Sequence, residues 1–268
     1  MVFSRPQDVL SADAYAFYQK GLVTLSESGV PFLVGGAYAF ERYTQIARHT
    51  KDLDIFVRPQ DCARSLQVLS TAGYQTDLTF PHWLGKAFYG ENFIDVIFSS
   101  GNGLCKVDDE WFAYAVEREV LDVPVLLCPA EEMIWSKAFI EERERYDGAD
   151  IAHVLRACST HLDWPRLLRR FDGHWRVLLS HLVLFGFVYP AEQSQVPDWV
   201  MRELMSRLQQ ELQGASLVER ICQGTLLSRE QYLTDITHWG YHDARLSPTG
   251  LMTPEDIAHW TAAIGEKS

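Results

Sequence analysis

The chain changes its hydrophobic pattern near residue 145, and this change constrains the fold more than any other feature of the sequence. Up to that point, short apolar runs typical of strands alternate with helical segments, and beyond it the pattern is almost purely helical. Such a chain is expected to be α+β, with a mixed sheet flanked by helices followed by an all-helical C-terminal domain. We place the first domain at 1–150 and the second at 151–268.

Apolar runs, proline and glycine positions give the expected elements. Strands are predicted at 31–34, 52–57, 86–90, 92–100 and 123–128. Helices are predicted in the first domain at 11–28, 37–47, 60–73, 108–116 and 129–142. The remaining predicted helices are 147–158, 163–171, 173–188, 198–213, 228–239 and 254–264.

Composition narrows the classes of function. The net charge of −12 argues against a large nucleic-acid footprint, because phosphate contacts need clustered Lys and Arg. A small basic cluster, RLLRR at 166–170, is the one local hint of nucleic acid. No signal peptide is visible, the longest apolar stretch at 177–189 is too short to span a bilayer, and the five cysteines form no C-x-x-C pair. We therefore expect a cytoplasmic protein without a membrane anchor.

The octapeptide TKDLDIFV at 50–57 carries two aspartates two residues apart in an apolar run. In a strand, Asp52 and Asp54 point to the same side with α-carbons roughly 6.5–7 Å apart. Leu53, Ile55 and Val57 then face the other side. One interpretation is an amphipathic strand with one hydrated face, and another is a functional pair of carboxylates.

Two further features favour the functional interpretation. Asp95 is the single charge in the apolar run NFIDVIFSS, where it is costly unless it is paired or bound to a metal. A predicted strand also leads directly into Gly35 and Gly36 and then a helix. Glycines at such a turn let the backbone approach a phosphate, and the helix N-terminus offers free N–H groups to it.

Three converging carboxylates suit a hard divalent ion. Mg²⁺, or Mn²⁺ in its place, prefers oxygen ligands and keeps some waters and substrate phosphates. Asp52, Asp54 and Asp95 are therefore predicted to bind metal and to be catalytic. Asp95 would also take the proton from an attacking hydroxyl or amine.

The order strand, Gly-Gly, helix, D-x-D strand and third Asp resembles the polymerase-β-like nucleotidyltransferase superfamily. The segment FLVGGAYAFERYTQIARHTKDLDIFV is similar to its minimal bacterial branches, which include lincosamide and aminoglycoside nucleotidyltransferases and abortive-infection toxins. The resemblance covers about residues 30–155 and implies a nucleotidyltransferase-like fold for the first domain. Many members have Gly-Ser where this chain has Gly35-Gly36, so one phosphate contact of the family is missing here.

The resemblance extends to SKAFIEERERYDGADIAHVLR at 136–156. It implies that Lys137 contacts the phosphates of a nucleoside triphosphate and that Asp147 supports it, while a hydrated charged face is the other interpretation. Asp147 and Asp150 lie three residues apart on one predicted helix face and could hold Lys137 or Arg145. Lys51 precedes the D-x-D motif and could also reach phosphate, and a surface role is equally compatible with its position.

The expected function is the transfer of a nucleoside monophosphate from a nucleoside triphosphate to a hydroxyl or amine, with release of pyrophosphate. The acceptor could be a small molecule, a protein or a tRNA, and the acidic balance favours the first two. One alternative is a non-catalytic module that binds a nucleotide or a partner. Another is the toxin component of a toxin–antitoxin pair, held by an antitoxin-like protein.

Overall fold

The structure is a computed structural model that describes residues 10–48, 50–214 and 220–263. Within these residues the chain forms two compact units. The first unit, called here the sheet unit, contains the described residues up to Pro129 and those from Gly250 onward. The second, called the helical unit, contains the described part of Ala130–Thr249.

A mixed seven-stranded sheet forms the centre of the sheet unit, in the order β3-β4-β5-β2-β1-β7-β6. Its strands are β1 (Leu33–Val34), β2 (Asp52–Phe56), β3 (Gln75–Phe80), β4 (Leu84–Tyr89), β5 (Asn92–Ile97), β6 (Val116–Val120) and β7 (Val123–Leu127). The pairs β2–β5 and β1–β7 are parallel, and the other neighbours are antiparallel. This sheet, with its flanking helices and the helical region that follows, confirms the predicted fold class.

The helices of the sheet unit are α1 (Ala12–Ser28), α2 (Gly36–Thr44), α3 (Pro59–Thr71), α4 (Asp109–Ala113) and α11 (Pro254–Ala262). Helix α1 begins at its cap Ser11, whose side chain accepts a hydrogen bond from the Ala14 N–H, and ends at Gly29. Helices α1 and α3 pack on each other and on the sheet. At Gly21 of α1 the approach is so close that an added Cβ would lie 2.5 Å from the Ile94 Cδ1 atom.

Strand β2 alternates between partly exposed and buried side chains from Asp52 to Ile55, and Phe56 after them is buried. Leu53 and Ile55 are fully buried, whereas Asp52 and Asp54 remain partly exposed. On the adjacent strand β5, Ile94 and Val96 are buried and Asp95 is partly exposed. The apolar residues of these two strands thus form the core, and the aspartates lie together on the opposite face of the sheet.

Within the seven-stranded sheet, strands β3 and β6 were not predicted from the sequence, and they are its two edges. Neither shows hydrophobic alternation, because most of the side chains of each strand are exposed or half-buried. Polar and charged residues are typical of edge strands, where they prevent pairing with another chain. The predicted helix 108–116 is correspondingly shorter, ending at Ala113.

The helical unit contains α5 (Ala130–Lys137), α6 (Gly148–Cys158), α7 (Trp164–Phe171), α8 (Trp175–Val188), α9 (Asp198–Gln213) and α10 (Leu233–Thr237). Two short strands, β8 (Ile221–Cys222) and β9 (His242–Asp243), pair in parallel. The predicted helix 228–239 is reduced to α10. Its first part is a turn, because the Ser228 hydroxyl accepts hydrogen bonds from the N–H groups of Glu230 and Gln231.

Two arginines of the RLLRR cluster, Arg166 and Arg170, belong to a buried ion network in the helical unit. Both Arg166 and Arg170 pair with Glu132, and Arg166 also lies 2.6 Å from Glu131. The side chains of Arg166 and Arg170 are only 2% and 9% exposed. These two arginines hold α7 against α5 and are not available to bind nucleic acid.

The two units do not have the limits expected for the two domains. Helix α5 lies in the helical unit, and α11 lies in the sheet unit, where it packs against β3. A compact unit of contacts is not the same as an independently folding domain, so the predicted boundary at 150 stays a prediction. Of the helices in the described part of the chain, none has the length and hydropathy needed to cross a membrane.

Candidate active site

Asp52, Asp54 and Asp95 form a carboxylate cluster on the polar face of the sheet. Strands β2 and β5 are parallel neighbours, and their register pairs Asp54 directly with Asp95. Asp52 lies two residues before Asp54 and therefore on the same face. One carboxylate oxygen from each residue lies within 4.8 Å of the other two. The structure thus brings together the three side chains that the sequence predicted to converge.

Gly36 lies against this cluster at the start of α2. Its φ of +52° is in the left-handed region, and a Cβ added there would coincide with the Asp54 carboxylate. Gly35 is the N-cap of α2, and its N–H donates to the Asp54 carbonyl oxygen at 2.9 Å. A Cβ on Gly35 would enter the ring of Phe56. Both glycines are thus required by close contacts with β2, and their predicted contact with phosphate stays a prediction.

The N-terminus of α2 is a candidate anion site beside the carboxylates. The first N–H groups of a helix have no partner within the helix, and no side chain caps α2. The partial positive charge of this helix end favours a phosphate group. Because Gly36 opens the helix next to Asp54, the anion site and the carboxylate cluster adjoin.

Lys86 is a member of the cluster that the sequence analysis did not identify. It lies on β4 directly opposite Asp95, and its Nζ atom is 3.0 Å from Asp95 Oδ1. The same Nζ atom lies 4.2 Å from the centre of the Phe93 ring. The sequence could have revealed this pairing of Lys86 with Asp95. A two-residue turn at Gly90 and Glu91 joins β4 to β5 and fixes which residues of the two strands face each other.

Two buried tyrosines lie behind the carboxylates. The Tyr18 hydroxyl donates a 2.7 Å hydrogen bond to the carbonyl oxygen of Lys51, and the ring contacts that of Tyr38 edge-on. Burial, followed by the charges of Asp52, Asp95 and Asp54, raises the pKa of Tyr18 to about 12. Burial likewise raises the pKa of Tyr38, whose hydroxyl has no hydrogen-bond partner among the described residues. The apolar pattern of the helix at 11–28 includes Tyr18, but the sequence analysis linked neither tyrosine to the carboxylates.

Two of the carboxylates, those of Asp52 and Asp95, also interact with neighbouring side chains. The Thr50 hydroxyl donates to Asp52 Oδ1. Burial raises the pKa of Asp95, and the positive charge of Lys86 acts against this effect. Lys51 is exposed, and its backbone carbonyl accepts the hydrogen bond from the Tyr18 hydroxyl. Its predicted contact with phosphate stays a prediction.

Lys137 and Asp147 form a second charged group, in the helical unit. Lys137 Nζ lies 2.7 Å from Asp147 Oδ2 and 3.0 Å from Asp150 Oδ2. Arg145 donates to both carboxylate oxygens of Asp147. Burial by itself raises the pKa of Asp147, but the hydrogen bonds from Arg145 and the charge of Lys137 outweigh it and lower that pKa. The role of Lys137 and Asp147 toward a nucleotide stays a prediction.

The carboxylate cluster fits a small divalent cation by its donor chemistry. All three donors are carboxylate oxygens, which Mg²⁺ and Mn²⁺ prefer. Oxygens bound to one Mg²⁺ at about 2.1 Å lie up to about 4.2 Å apart. Small side-chain rotations would therefore bring Asp52, Asp54 and Asp95 to ligand distances.

Comparisons with known proteins give distant structural likenesses. No protein-family model matches the chain, and no curated protein matches it in sequence. The chain is similar to the antibiotic-resistance factor ANT(2'')-Ia, with a TM-score of 0.45 and 16% identity over 64% of this chain and 98% of that one. It is also similar to the lincosamide antibiotic adenylyltransferase LnuA, with a TM-score of 0.39 and 15% identity over 54% of this chain and 96% of that one.

A third similar structure is JHP933 from Helicobacter pylori. Its TM-score is 0.39, with 12% identity over 76% of this chain and all of that one. These likenesses are too distant to assign an activity to this chain. A function has to be inferred from the geometry of its own residues.

Proposed function

We propose that the protein is a nucleotidyltransferase that depends on Mg²⁺ or Mn²⁺. It would move a nucleoside monophosphate from a nucleoside triphosphate to a hydroxyl or amine of an acceptor and release pyrophosphate. The observation that carries this proposal is the convergence of Asp52, Asp54 and Asp95 beside the uncapped N-terminus of α2. An anion site next to a carboxylate cluster is what a metal-bound triphosphate requires, because the cation must bridge two sets of negative oxygens.

The roles of the residues follow from their positions. Asp52 and Asp54 would hold the cation, which when bound offsets phosphate charge and helps to align the triphosphate. The first N–H groups of α2 would bind phosphate oxygens, and Gly36 leaves the room for this approach. In this proposal, these groups would hold the α-phosphorus on the polar face of the sheet, next to Asp95.

The proposed reaction is an in-line displacement at the α-phosphorus. The acceptor oxygen or nitrogen forms a bond to this phosphorus, and the bond from phosphorus to the oxygen that leads to the β-phosphate breaks. Asp95 receives the proton of the acceptor group, and the electron pair of the broken bond leaves with pyrophosphate. Asp95 lies on the cluster side of β5, so the acceptor would approach from the face of the sheet that carries the carboxylates.

Lys137, Asp147 and Lys51 have supporting roles in this proposal. Lys137 would contact the outer phosphates as a point charge, and Asp147 would hold it in place, as the short ion pair between them favours. Lys51 would contribute a further positive charge near the D-x-D strand. These assignments do not depend on the carboxylate cluster. They can be wrong while the role of the cluster is correct.

A small molecule is the acceptor that we favour. The net charge of −12 suits a cationic acceptor. The burial of Arg166 and Arg170 removes the main reason to consider tRNA. An antitoxin-like partner is not part of this proposal.

The test is a transfer assay with each α-labelled nucleoside triphosphate, Mg²⁺ and fractionated small-molecule extract. We expect pyrophosphate release with one or more triphosphates and a labelled product that requires both the metal and an extract fraction. The matched control is the Asp52→Asn/Asp54→Asn double variant, which keeps side-chain shape but loses both charges. Equal product with this variant, or product that survives an excess of EDTA, would refute the proposal.

A further inference from the structure

Lys86 lies inside the carboxylate cluster and is held there from three directions. The two-residue turn at Gly90 and Glu91 sets it opposite Asp95 across the β4–β5 pair. Its ammonium group lies 3.0 Å from Asp95 Oδ1 and 4.2 Å from the centre of the Phe93 ring. A cation over an aromatic face is attracted by the ring. The ammonium position is therefore fixed by backbone register, a carboxylate and a ring together.

The burial of this pair makes the charge of Lys86 effective. The side chains of Lys86 and Asp95 are only 24% and 14% exposed. Charges that are shielded from water interact more strongly than charges on an open surface. Lys86 thus differs from an ordinary surface lysine, whose effect on nearby carboxylates is mostly screened.

The charges of the cluster identify what Lys86 does. Three ionised carboxylates bring three negative charges together, and the ammonium group of Lys86 offsets part of this charge. Lys86 approaches Asp95 and is not paired by register with Asp52 or Asp54. The register thus sets Lys86 beside Asp95, the carboxylate to which the proposed function gives the proton of the acceptor.

We propose that Lys86 is a built-in cation of the carboxylate cluster, which positions Asp95 and limits the affinity of the nucleotide-free cluster for divalent cations. This inference rests on the proposed function, and it adds a positioning residue to it. The ammonium group lies beside one oxygen of Asp95, Oδ1, and so orients the carboxylate that would accept the proton of the acceptor. It also keeps the cluster stable before a metal binds, because the ammonium group offsets the mutual repulsion of the aspartates.

The experiment is a Mn²⁺ titration, followed by electron paramagnetic resonance, of the nucleotide-free full chain. The variant Lys86→Met keeps a side chain of similar length and removes the positive charge. We expect the Mn²⁺ affinity of this variant to be at least about tenfold higher than that of the parent, which is the effect of one unit charge a few ångströms from a divalent ion. Lys86→Arg keeps the charge and should titrate like the parent. Lys20→Met is the matched control, because Lys20 also lies over a ring, that of Tyr74 at 5.5 Å, but is exposed on α1.

Melting temperatures in EDTA and in Mn²⁺ give a second readout. In EDTA, Lys86→Met should have a lower melting temperature than the parent, and Mn²⁺ should raise the melting temperature of the variant more than that of the parent. A lysine with a purely local packing role would not produce this difference. If Lys86→Met does not fold in EDTA, Lys86→Gln replaces it as a second uncharged variant, with a polar side chain.

The outcomes separate this inference from the proposed function. Unchanged or weaker Mn²⁺ binding by the uncharged variants would overturn the role of Lys86, and so would the absence of Mn²⁺ binding in the parent and the variants alike. The transfer assay with the parent protein decides the proposed function independently. Transfer by a parent whose Lys86→Met variant binds Mn²⁺ with parental affinity would refute the inference alone.

Discussion

The α-carbon of Gly36 faces the carboxylate of Asp54 so closely that a methyl group on Gly36 would coincide with Asp54 Oδ2. The glycine also has a φ of +52°. The sequence predicted this glycine as a place where the backbone approaches a phosphate, and the structure shows that it also makes room for a carboxylate. Gly36 therefore controls the position of Asp54 directly.

Gly36→Ala should displace Asp54 and weaken Mn²⁺ binding. The new methyl group collides with the end of a side chain, which can rotate away, so the fold should survive at a cost of about 1–2 kcal/mol for the positive φ. A Mn²⁺ titration and a melting curve in EDTA on the same preparation measure both effects. Gly21→Ala is the control, because its methyl group meets Ile94 on the opposite face of the sheet. A large loss of stability with parental Mn²⁺ affinity would contradict this role.

Asparagine at any one of Asp52, Asp54 and Asp95 should abolish or nearly abolish transfer while the protein stays folded. Loss of the proton acceptor alone, in Asp95→Asn, should reduce the rate by about 10²–10⁴-fold. In EDTA, Asp52→Asn and Asp54→Asn should melt at or above the parental temperature, because a repulsion between like charges is removed. Near-normal turnover by any one of the three at saturating Mg²⁺ would remove that residue from the site.

Lys137→Met should weaken the binding of a non-hydrolysable nucleoside triphosphate and also destabilise the protein. The variant leaves Asp147 with Arg145 as a partner but strips Asp150 of its ion pair with Lys137. We expect a loss of about 1–3 kcal/mol, because the three side chains are largely shielded from water. Calorimetric titration with the analogue, at a temperature where the variant is folded, separates the two effects. Parental affinity in a destabilised variant would assign Lys137 a purely structural role.

The stability of the helical unit should fall as the solution becomes acidic, in part because of His181. Burial lowers the pKa of His181, and the hydrogen bond to the Ala138 carbonyl and the nearby Glu141 only partly oppose this. Below the unfolded pKa of about 6.5 the unfolded chain therefore binds more protons than the folded one. The contribution is fully present above that pH and is lost as the pH falls through the lowered folded pKa.

His181→Gln keeps a hydrogen-bond donor but cannot take up a proton in this range. Its melting temperature should change less than the parental one between about pH 7.5 and about pH 5.5. The exposed His161 offers a control, since His161→Gln should keep the parental pH dependence. An identical slope in His181→Gln and the parent would show that other groups cause the acid sensitivity.

The sequence predicted the strands that carry a hydrophobic signal and missed those that do not. Strands β2 and β5 alternate or run apolar because they lie in the interior of the sheet, and their aspartates stand out against that background. Strands β3 and β6 are edges, so neither needs a continuous apolar face. Their existence follows from pairing with a neighbour, which a local pattern does not reveal.

The residues of the candidate site also fall into those that the sequence reveals and those that it does not. Asp52, Asp54 and Asp95 could be found because a charge in an apolar strand is costly. Lys86 could be found only by pairing residues across the turn at Gly90, and the buried tyrosines Tyr18 and Tyr38 come from helices whose packing the sequence does not specify. Side chains brought in by tertiary contacts therefore need the structure.

The alternation in β2 links the number of molecules that can bind a cation to the number of folded molecules in a preparation. Leu53 and Ile55 are fully buried, and a shift of the strand by one residue would bury Asp52 and Asp54 in their place. A chain cannot form this core without also presenting its carboxylates on the other face. We therefore expect the number of cation-binding molecules in a preparation to equal the number of folded ones, so that metal stoichiometry can serve as a measure of the folded fraction.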